Sequence, residues 1–254
     1  MTGHLAVIGL GPGDPRLLTP EASDALAAAQ ALYGYAPYLD RVAARPGQTR
    51  HASDNREERS RAAAALRHAA QDAHVAVVSG GDPGVFAMAA AICEEIESGP
   101  ASWRSIDVTF IPGITAMLAV AARIGAPLGH DFCALSLSDN LKPWDLIERR
   151  LDAAASAGFV IALYNPVSRA RPWQLGKAIE RLRRHLPATT PVVFGHAVGR
   201  ADERISLTTL DTTDAAQADM ATLVIVGSRE TRIVPRPGRA PLVYTPRAAA
   251  GASA

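Results

Sequence analysis

The 254-residue sequence is short of cysteine, of lysine, of net charge and of long apolar runs. Its two cysteines, Cys93 and Cys133, stand 40 positions apart and outside any CxxC or Cys/His cluster. A disulfide framework or a cysteine-built zinc site is therefore not expected. The seven histidines are scattered, with no HxxxH or HExxH pair, and no metal ligand set is read from them. His130 and His196 are best read as ordinary satisfied or solvated histidines. A formal net charge of +1 gives no electrostatic footprint for a nucleic-acid binder. No apolar stretch approaches the roughly 18–20 residues that span a bilayer. The opening MTGHLAVIGLGPGD meets glycine after one short strand and lacks the layout of a secretory signal. The expectation is a cytoplasmic protein with neither nucleic acid nor membrane as partner. Of the 26 basic residues only Lys142 and Lys177 are lysine. The plain reading of that imbalance is a GC-rich coding bias. The sharper reading is that some of these arginines grip carboxylates in a two-pronged way that lysine does not.

What is present is enough to fold. The chain is 48% hydrophobic and 20% charged, a balance that buries a sizeable core. Its length fits one large α/β domain or two small ones. Short β-branched runs alternate with longer alanine-rich segments of helical period. Strands are expected at Leu5–Leu10, Val75–Val78 and Ile106–Ile111. Helices are expected at Pro20–Leu32, 54–72 (Asp54 and Glu57 at capping-box spacing), Val85–Ile96 and Thr115–Ile124. This half reads as a mostly parallel sheet covered on both faces. The pattern then restarts. Strands are expected at Phe132–Leu137, Phe159–Leu163, Pro191–Gly195, Arg204–Thr208 and Thr222–Val226. Helices are expected at Trp144–Ala157, behind Pro143, and Trp173–Leu186. Two α/β lobes follow, 1–113 and 114–254, with the tail after about residue 247 expected to be disordered.

Four glycine- or proline-rich loops close strands. They are Gly9-Leu10-Gly11-Pro12-Gly13-Asp14-Pro15, Ser79-Gly80-Gly81-Asp82-Pro83-Gly84, Pro112-Gly113-Ile114-Thr115-Ala116 and Tyr164-Asn165-Pro166. Ligands of open α/β sheets bind beyond the carboxyl ends of strands, so these loops should meet at one edge. The first resembles a dinucleotide fingerprint only superficially. Pro12 and Pro15 stiffen it, Asp14 sets a negative charge where a phosphate would lie, and no lysine makes a Walker motif. A nucleotide-dependent oxidoreductase is thus a distant alternative. It also lacks an acidic ribose clamp near Leu32-Tyr33-Gly34.

The ordered set GLGPGDP, GGDPGVF, PGITA and YNP resembles the class III, or tetrapyrrole, S-adenosylmethionine-dependent methylases over nearly the whole chain. Tyr33-Gly34-Tyr35-Ala36-Pro37-Tyr38, Ser138-Asp139-Asn140-Leu141-Lys142-Pro143-Trp144 and Asp219-Met220-Ala221-Thr222 narrow the likeness. They point to the branch that methylates C17 of precorrin-3B, with ring contraction to precorrin-4, in cobalamin biosynthesis. Cobalt-precorrin-3 or another corrinoid carbon is the alternative acceptor. A modified protein histidine or ribosomal RNA are further acceptors of the same fold.

The resemblance implies a two-lobed α/β fold, each lobe a mixed or parallel sheet flanked by helices, with the ligand cleft between lobes. It also implies a homodimer and S-adenosyl-L-methionine as cofactor. Carried onto this sequence, it implies cofactor contacts from Pro12, Gly80, Gly81, Asp82, Val85, Phe86, Thr115 and Ala116, and from Asn165, Ala197, Met220 and Thr222. The tetrapyrrole's acetate and propionate arms suit arginines. The candidates are Arg41, Arg45, Arg50, Arg56, Arg59, Arg61, Arg169 and Arg171; most of them are read as lying on solvated helix faces, with two or three expected to touch substrate. Ring contraction moves protons, which calls for an acid or base. Asp14 is the first candidate, and is equally placed to cap its loop. Tyr35 and Asp139, with Tyr38 and Ser138, stand behind it.

Overall fold

A computed structural model describes residues 3–168 and 170–248. Arg169 and the expected disordered tail, from 249 onward, lie outside the described residues. The chain divides into two compact units, one ending at Thr115 and the other beginning at Ala116.

The first unit is built from β1 (His4–Gly9), α1 (Pro20–Ala28), β2 (Ala31–Tyr35), α2 (Ala36–Leu39), β3 (Thr49–Ser53), α3 (Glu58–Ala69), β4 (His74–Ser79), α4 (Met88–Ser98) and β5 (Asp107–Ile111). Its strands form one parallel sheet in the order β3-β2-β4-β1-β5. Side chains of a strand alternate between faces, and this sheet has a core on each. Leu5 and Val7 join Leu66, Ile92 and Trp103 on one side. Ala6 and Ile8 join Ala22, Leu26 and Leu39 on the other.

Several boundaries differ from expectation. The helix beginning at Pro20, capped by the Thr19 hydroxyl on Ala22 N–H, stops at Ala28. Ala31–Tyr35 is a buried strand instead, because five apolar or small residues fill the space beside β4. Glu57 does accept the Asp54 N–H at 3.0 Å, but the helix starts only at Glu58. The helix expected from Val85 starts at Met88, after a turn in which Phe86 is left-handed.

The second unit contains α5 (Ala116–Ile124), β6 (Gly125–Ala126), β7 (Phe132–Ser136), α6 (Trp144–Ser156), β8 (Val160–Tyr164), α7 (Gln174–Leu182), β9 (Pro191–His196), β10 (Arg204–Thr209), β11 (Thr222–Val226), β12 (Arg232–Arg236) and β13 (Arg239–Tyr244). Its main sheet has the order β10-β9-β11-β8-β7 and is mixed: only β7 and β8 run parallel. Leu163, Phe194 and Val224 face Leu151, Leu175 and Leu182 of α6 and α7. On the other face Gly195 admits Val120 of α5, whose Cγ1 would lie 2.9 Å from any added Cβ. The segment from Arg232, not expected to be regular, forms a hairpin that pairs with β6. Trp144 and Trp173 meet edge to face at 4.8 Å.

Candidate functional site

In the first unit three of the expected loops converge. They close β4, β1 and β5, which are neighbours in a parallel sheet, so their carboxyl ends share one edge. Gly11 and Gly81 exchange backbone hydrogen bonds at 3.0 and 2.9 Å. Asp82 ties in the third loop: Oδ1 accepts Gly84 N–H at 2.8 Å and Oδ2 accepts Gly113 N–H at 3.1 Å. The approach is so close that a Cβ on Gly9 would lie 2.7 Å from Gly81 O and Gly113 N, and one on Gly113 would collide with Gly81 O. The glycines are therefore required by packing as well as by the left-handed φ of +64° and +67° at Gly11 and Gly81.

Around this knot Pro12 and Thr115 are buried, and Gly80, Gly81, Asp82 and Val85 are half-buried. Ala116, the first residue of the second unit, is half-buried. The Tyr38 ring fills the space beside Gly80. Tyr38 also meets Tyr35 edge to face at 5.4 Å. Phe86 is exposed. Asp14 accepts from Arg16 N at 2.9 Å and is gripped by its guanidinium, Nη2 at 2.6 Å. This carboxylate caps the turn at Pro15–Leu17 and is ion-paired.

The arginines of this unit mostly hold backbone. Arg41 donates to Leu10 O at 2.9 Å and Gly11 O at 2.8 Å, clamping the first glycine loop. Arg50 donates to Leu39 O and Val42 O. Arg61, buried, donates to Ser53 Oγ and Asp54 O, and its burial lowers its pKa from the ordinary arginine value. Arg59 pairs with Glu95 at 2.7 Å. These carbonyl clamps carry no sequence signal.

In the second unit the remaining residues also lie along one sheet edge. Antiparallel pairing brings the start of β11 beside the ends of β8 and β9. Asn165, left-handed at φ 51°, donates from Nδ2 to Ser136 Oγ at 2.9 Å. Tyr164 accepts Met117 N–H at 3.1 Å. Ala197, buried and left-handed at φ 48°, donates its N–H to Ala221 O at 3.0 Å. Met220 is exposed and Thr222 buried, its hydroxyl donating to Asp219 at 2.7 Å. Asp139 forms an ion pair with Arg171 (2.8 Å) and accepts from Gln174 (2.6 Å). Ser138 donates its N–H to Ser136 Oγ. Among the described residues no group of three or more His, Cys, Asp or Glu is placed to hold a metal ion.

A dinucleotide site fits poorly. After Gly13 comes a short 3-10 turn at Pro15–Leu17, and α1 starts only at Pro20, so no helix N-terminus opens on the glycine loop. The second strand ends at Tyr35, with Ala36 and Pro37 where an acidic clamp would stand. The loops around Asp82 instead offer backbone N–H and C=O groups, the Asp82 carboxylate and the apolar side chains of Val85 and Phe86. No described helix is long and apolar enough to cross a membrane.

Comparison with known proteins agrees. Residues 4–214 match the family Tetrapyrrole (Corrin/Porphyrin) Methylases. The chain is 66% identical over 253 residues to a precorrin-3B C(17)-methyltransferase of Sinorhizobium sp., covering 100% of both chains. It superposes on the crystal structure of the methyltransferase CobJ with a TM-score of 0.91 at 48% identity, covering 96% of this chain and 100% of that one. A uroporphyrin-III C-methyltransferase from Thermus thermophilus, complexed with S-adenosylhomocysteine, shares the fold at a TM-score of 0.66 and 23% identity, covering 89% and 97%.

Proposed function

The chain belongs to the tetrapyrrole (corrin/porphyrin) methylases, and on that premise we propose that it transfers a methyl group from S-adenosylmethionine to C17 of precorrin-3B, yielding the ring-contracted precorrin-4 of cobalamin biosynthesis. The observation that supports the donor assignment is the knot of the three loops around Asp82. The donor carries a sulfonium, an α-ammonium and an α-carboxylate. A surface of backbone donors and acceptors with one carboxylate suits that mixture. Each Asp82 oxygen accepts one backbone N–H, which leaves acceptor capacity for an ammonium or a ribose hydroxyl.

When bound, the donor supplies an electrophilic methyl group and leaves as S-adenosylhomocysteine. The chain's part is positioning. Pro12, Gly80, Gly81, Asp82, Val85, Phe86 and Thr115 of the first unit would hold the donor. Ala116, Asn165, Ala197, Met220 and Thr222, which belong to the second unit, are the further contacts that the family resemblance implies. Fixing donor and acceptor at about 3–3.5 Å supplies several kcal/mol without any charged catalytic group. Transfer disperses the sulfonium charge, so a strongly charged pocket would not help. Proton movement during contraction falls first to Asp14, and behind it to Tyr35 and Asp139. The protein acts as a cytoplasmic homodimer in this reading.

The test is incubation with labelled S-adenosylmethionine and, separately, precorrin-3B and its cobalt-bearing counterpart. The proposal expects label in a ring-contracted product from the metal-free substrate. Label only in the cobalt-bearing product would reassign the acceptor. Label in neither would overturn the substrate, and failure to bind S-adenosylhomocysteine would overturn the donor.

A further inference from the structure

His196 stands between two carboxylates. Its Nδ1 lies 3.1 Å from Asp219 Oδ1 and its Nε2 lies 3.2 Å from Asp202 Oδ2. The ring is largely buried, with 13% of the side chain exposed. A neutral imidazole has one N–H and would turn a lone pair on one of these oxygens; only the imidazolium donates to both.

The two carboxylates belong to different turns. Asp202 lies in the turn between β9 and β10. Asp219 organises the turn before β11: it accepts Ala221 N–H at 2.9 Å and the Thr222 hydroxyl at 2.7 Å. Burial pushes the Asp219 carboxyl up, but the Thr222 hydroxyl, the Ala221 N–H and His196 outweigh it and hold it below the usual carboxylate range. His196 is followed by left-handed Ala197, whose N–H is bonded to Ala221 O. One ring therefore braces both turns that carry Ala197, Met220 and Thr222.

We propose that His196, as the imidazolium, is a positioning residue for the methyl donor, locking the 196–197 and 219–222 turns together so that donor affinity falls when the ring loses its proton. This rests on the reading that Ala197, Met220 and Thr222 contact the donor. The other groups near the ring do not supply a substitute charge contact. Arg204, opposite His196 on β10, is a cation. Arg200 acts on Asp202. Glu203 is turned to Gly199 N–H and Arg123. On β11, Thr222 is an uncharged hydroxyl already donating to Asp219.

The experiment measures the dissociation constant of S-adenosylhomocysteine by calorimetry between about pH 6 and pH 8, a span that brackets ordinary histidine titration near 6.5. Wild-type protein is expected to bind about tenfold more weakly at the upper end, a change of about 1.4 kcal/mol. His196→Gln is expected to bind weakly and without that slope. Asp202→Asn should move the slope to lower pH, since it removes one carboxylate that favours the charged ring. Nitrogen NMR of the wild-type ring should find both nitrogens protonated at about pH 6, the acid end of the span where binding is expected to be tightest; this readout stands even if the variants fail to fold. A neutral ring there, or a His196→Gln variant with wild-type affinity and slope, would overturn the proposal. Absence of binding by every form at every pH would instead bring down the donor reading itself.

Discussion

Asp82 and Gly113, 31 positions apart, are joined by a 3.1 Å hydrogen bond that fastens the loop after β4 to the loop after β5. The same carboxylate shapes its own loop through Gly84 N–H. Asp82→Ala would leave Gly113 N–H without this acceptor and remove the one carboxylate of the knot. Hydrogen bonds to a charged group are worth about 1.5–3 kcal/mol, so S-adenosylhomocysteine should bind tenfold or more weakly. Asp82→Asn keeps one acceptor oxygen and should fall between. Calorimetric titration of both variants checks this; wild-type affinity in Asp82→Ala would contradict it.

Gly113 and Gly158 separate packing from conformation. Gly113→Ala drives a methyl group into Gly81 O, a backbone atom that cannot swing aside. Gly158 has φ +83° but nothing within 4 Å of an added Cβ. Gly158→Ala should cost about 1–2 kcal/mol, the backbone penalty alone. Gly113→Ala should cost that of an overpacked site, about 1–3 kcal/mol or more, and also abolish donor binding. Urea unfolding of each, paired with ligand titration, tells them apart: Gly158→Ala should bind normally.

The convergence of the three loops was legible because it follows from topology. Parallel strands with glycine-rich ends present those ends at one edge whatever the side chains do. The backbone that shapes these loops further was less legible. Phe86, Asn165 and Ala197 stand among the cofactor contacts that the resemblance implies, but at Phe86 and Ala197 no glycine signals the left-handed backbone, and only Asn165 is of a type that favours it. β2 was hidden because the alanine-rich period of α1 runs into Ala31–Tyr35 without a proline or glycine between. β3 was hidden because it is an edge strand, largely exposed on both faces and without alternation. The hairpin from Arg232 was hidden because its prolines and arginines read as tail. The arginine-rich stretch suggested carboxylate binding, yet Arg41 and Arg50 hold carbonyl oxygens.

Arg41→Lys tests the clamp on the first glycine loop. A guanidinium reaches Leu10 O and Gly11 O with one nitrogen in a fixed plane; an ammonium keeps the charge but not the geometry. Losing most of two charge-assisted bonds should cost about 1–3 kcal/mol of stability. Donor affinity should fall with it, because Pro12 follows Gly11 directly. A lysine variant with unchanged melting temperature and affinity would show the clamp to be idle.

The pair between α6 and α7 sets an acid limit. Asp152 is held below the ordinary aspartate range by hydrogen bonds from Arg181 and, secondarily, from His185, against the opposing pull of burial. A carboxyl depressed in the folded state contributes stability above its unfolded value, about 3.9. That contribution is lost as pH falls through the folded value. Wild-type protein should therefore melt higher than Asp152→Asn at neutral pH, with the gap closing below about pH 4. A gap constant from neutral to acid pH would assign the difference to packing.

Thr245 tests whether the late hairpin is fastened as the structure has it. Its hydroxyl is buried, donates to Pro127 O at 2.6 Å and meets the Thr231 hydroxyl at 2.8 Å. These contacts join the end of β13 to the turn after β6, and the hairpin to the bend before β12. Valine matches threonine in shape but has no hydroxyl. Thr245→Val would leave Pro127 O and the Thr231 hydroxyl without this partner in a site that water does not reach. Each such loss costs about 1–3 kcal/mol, so the variant should melt several degrees lower despite its greater hydrophobicity. Thr231→Val on the same background should then cost less than it does alone, because the partner it would abandon is already gone. Additive losses in the double variant would mean that the two hydroxyls act separately and that another contact holds the hairpin.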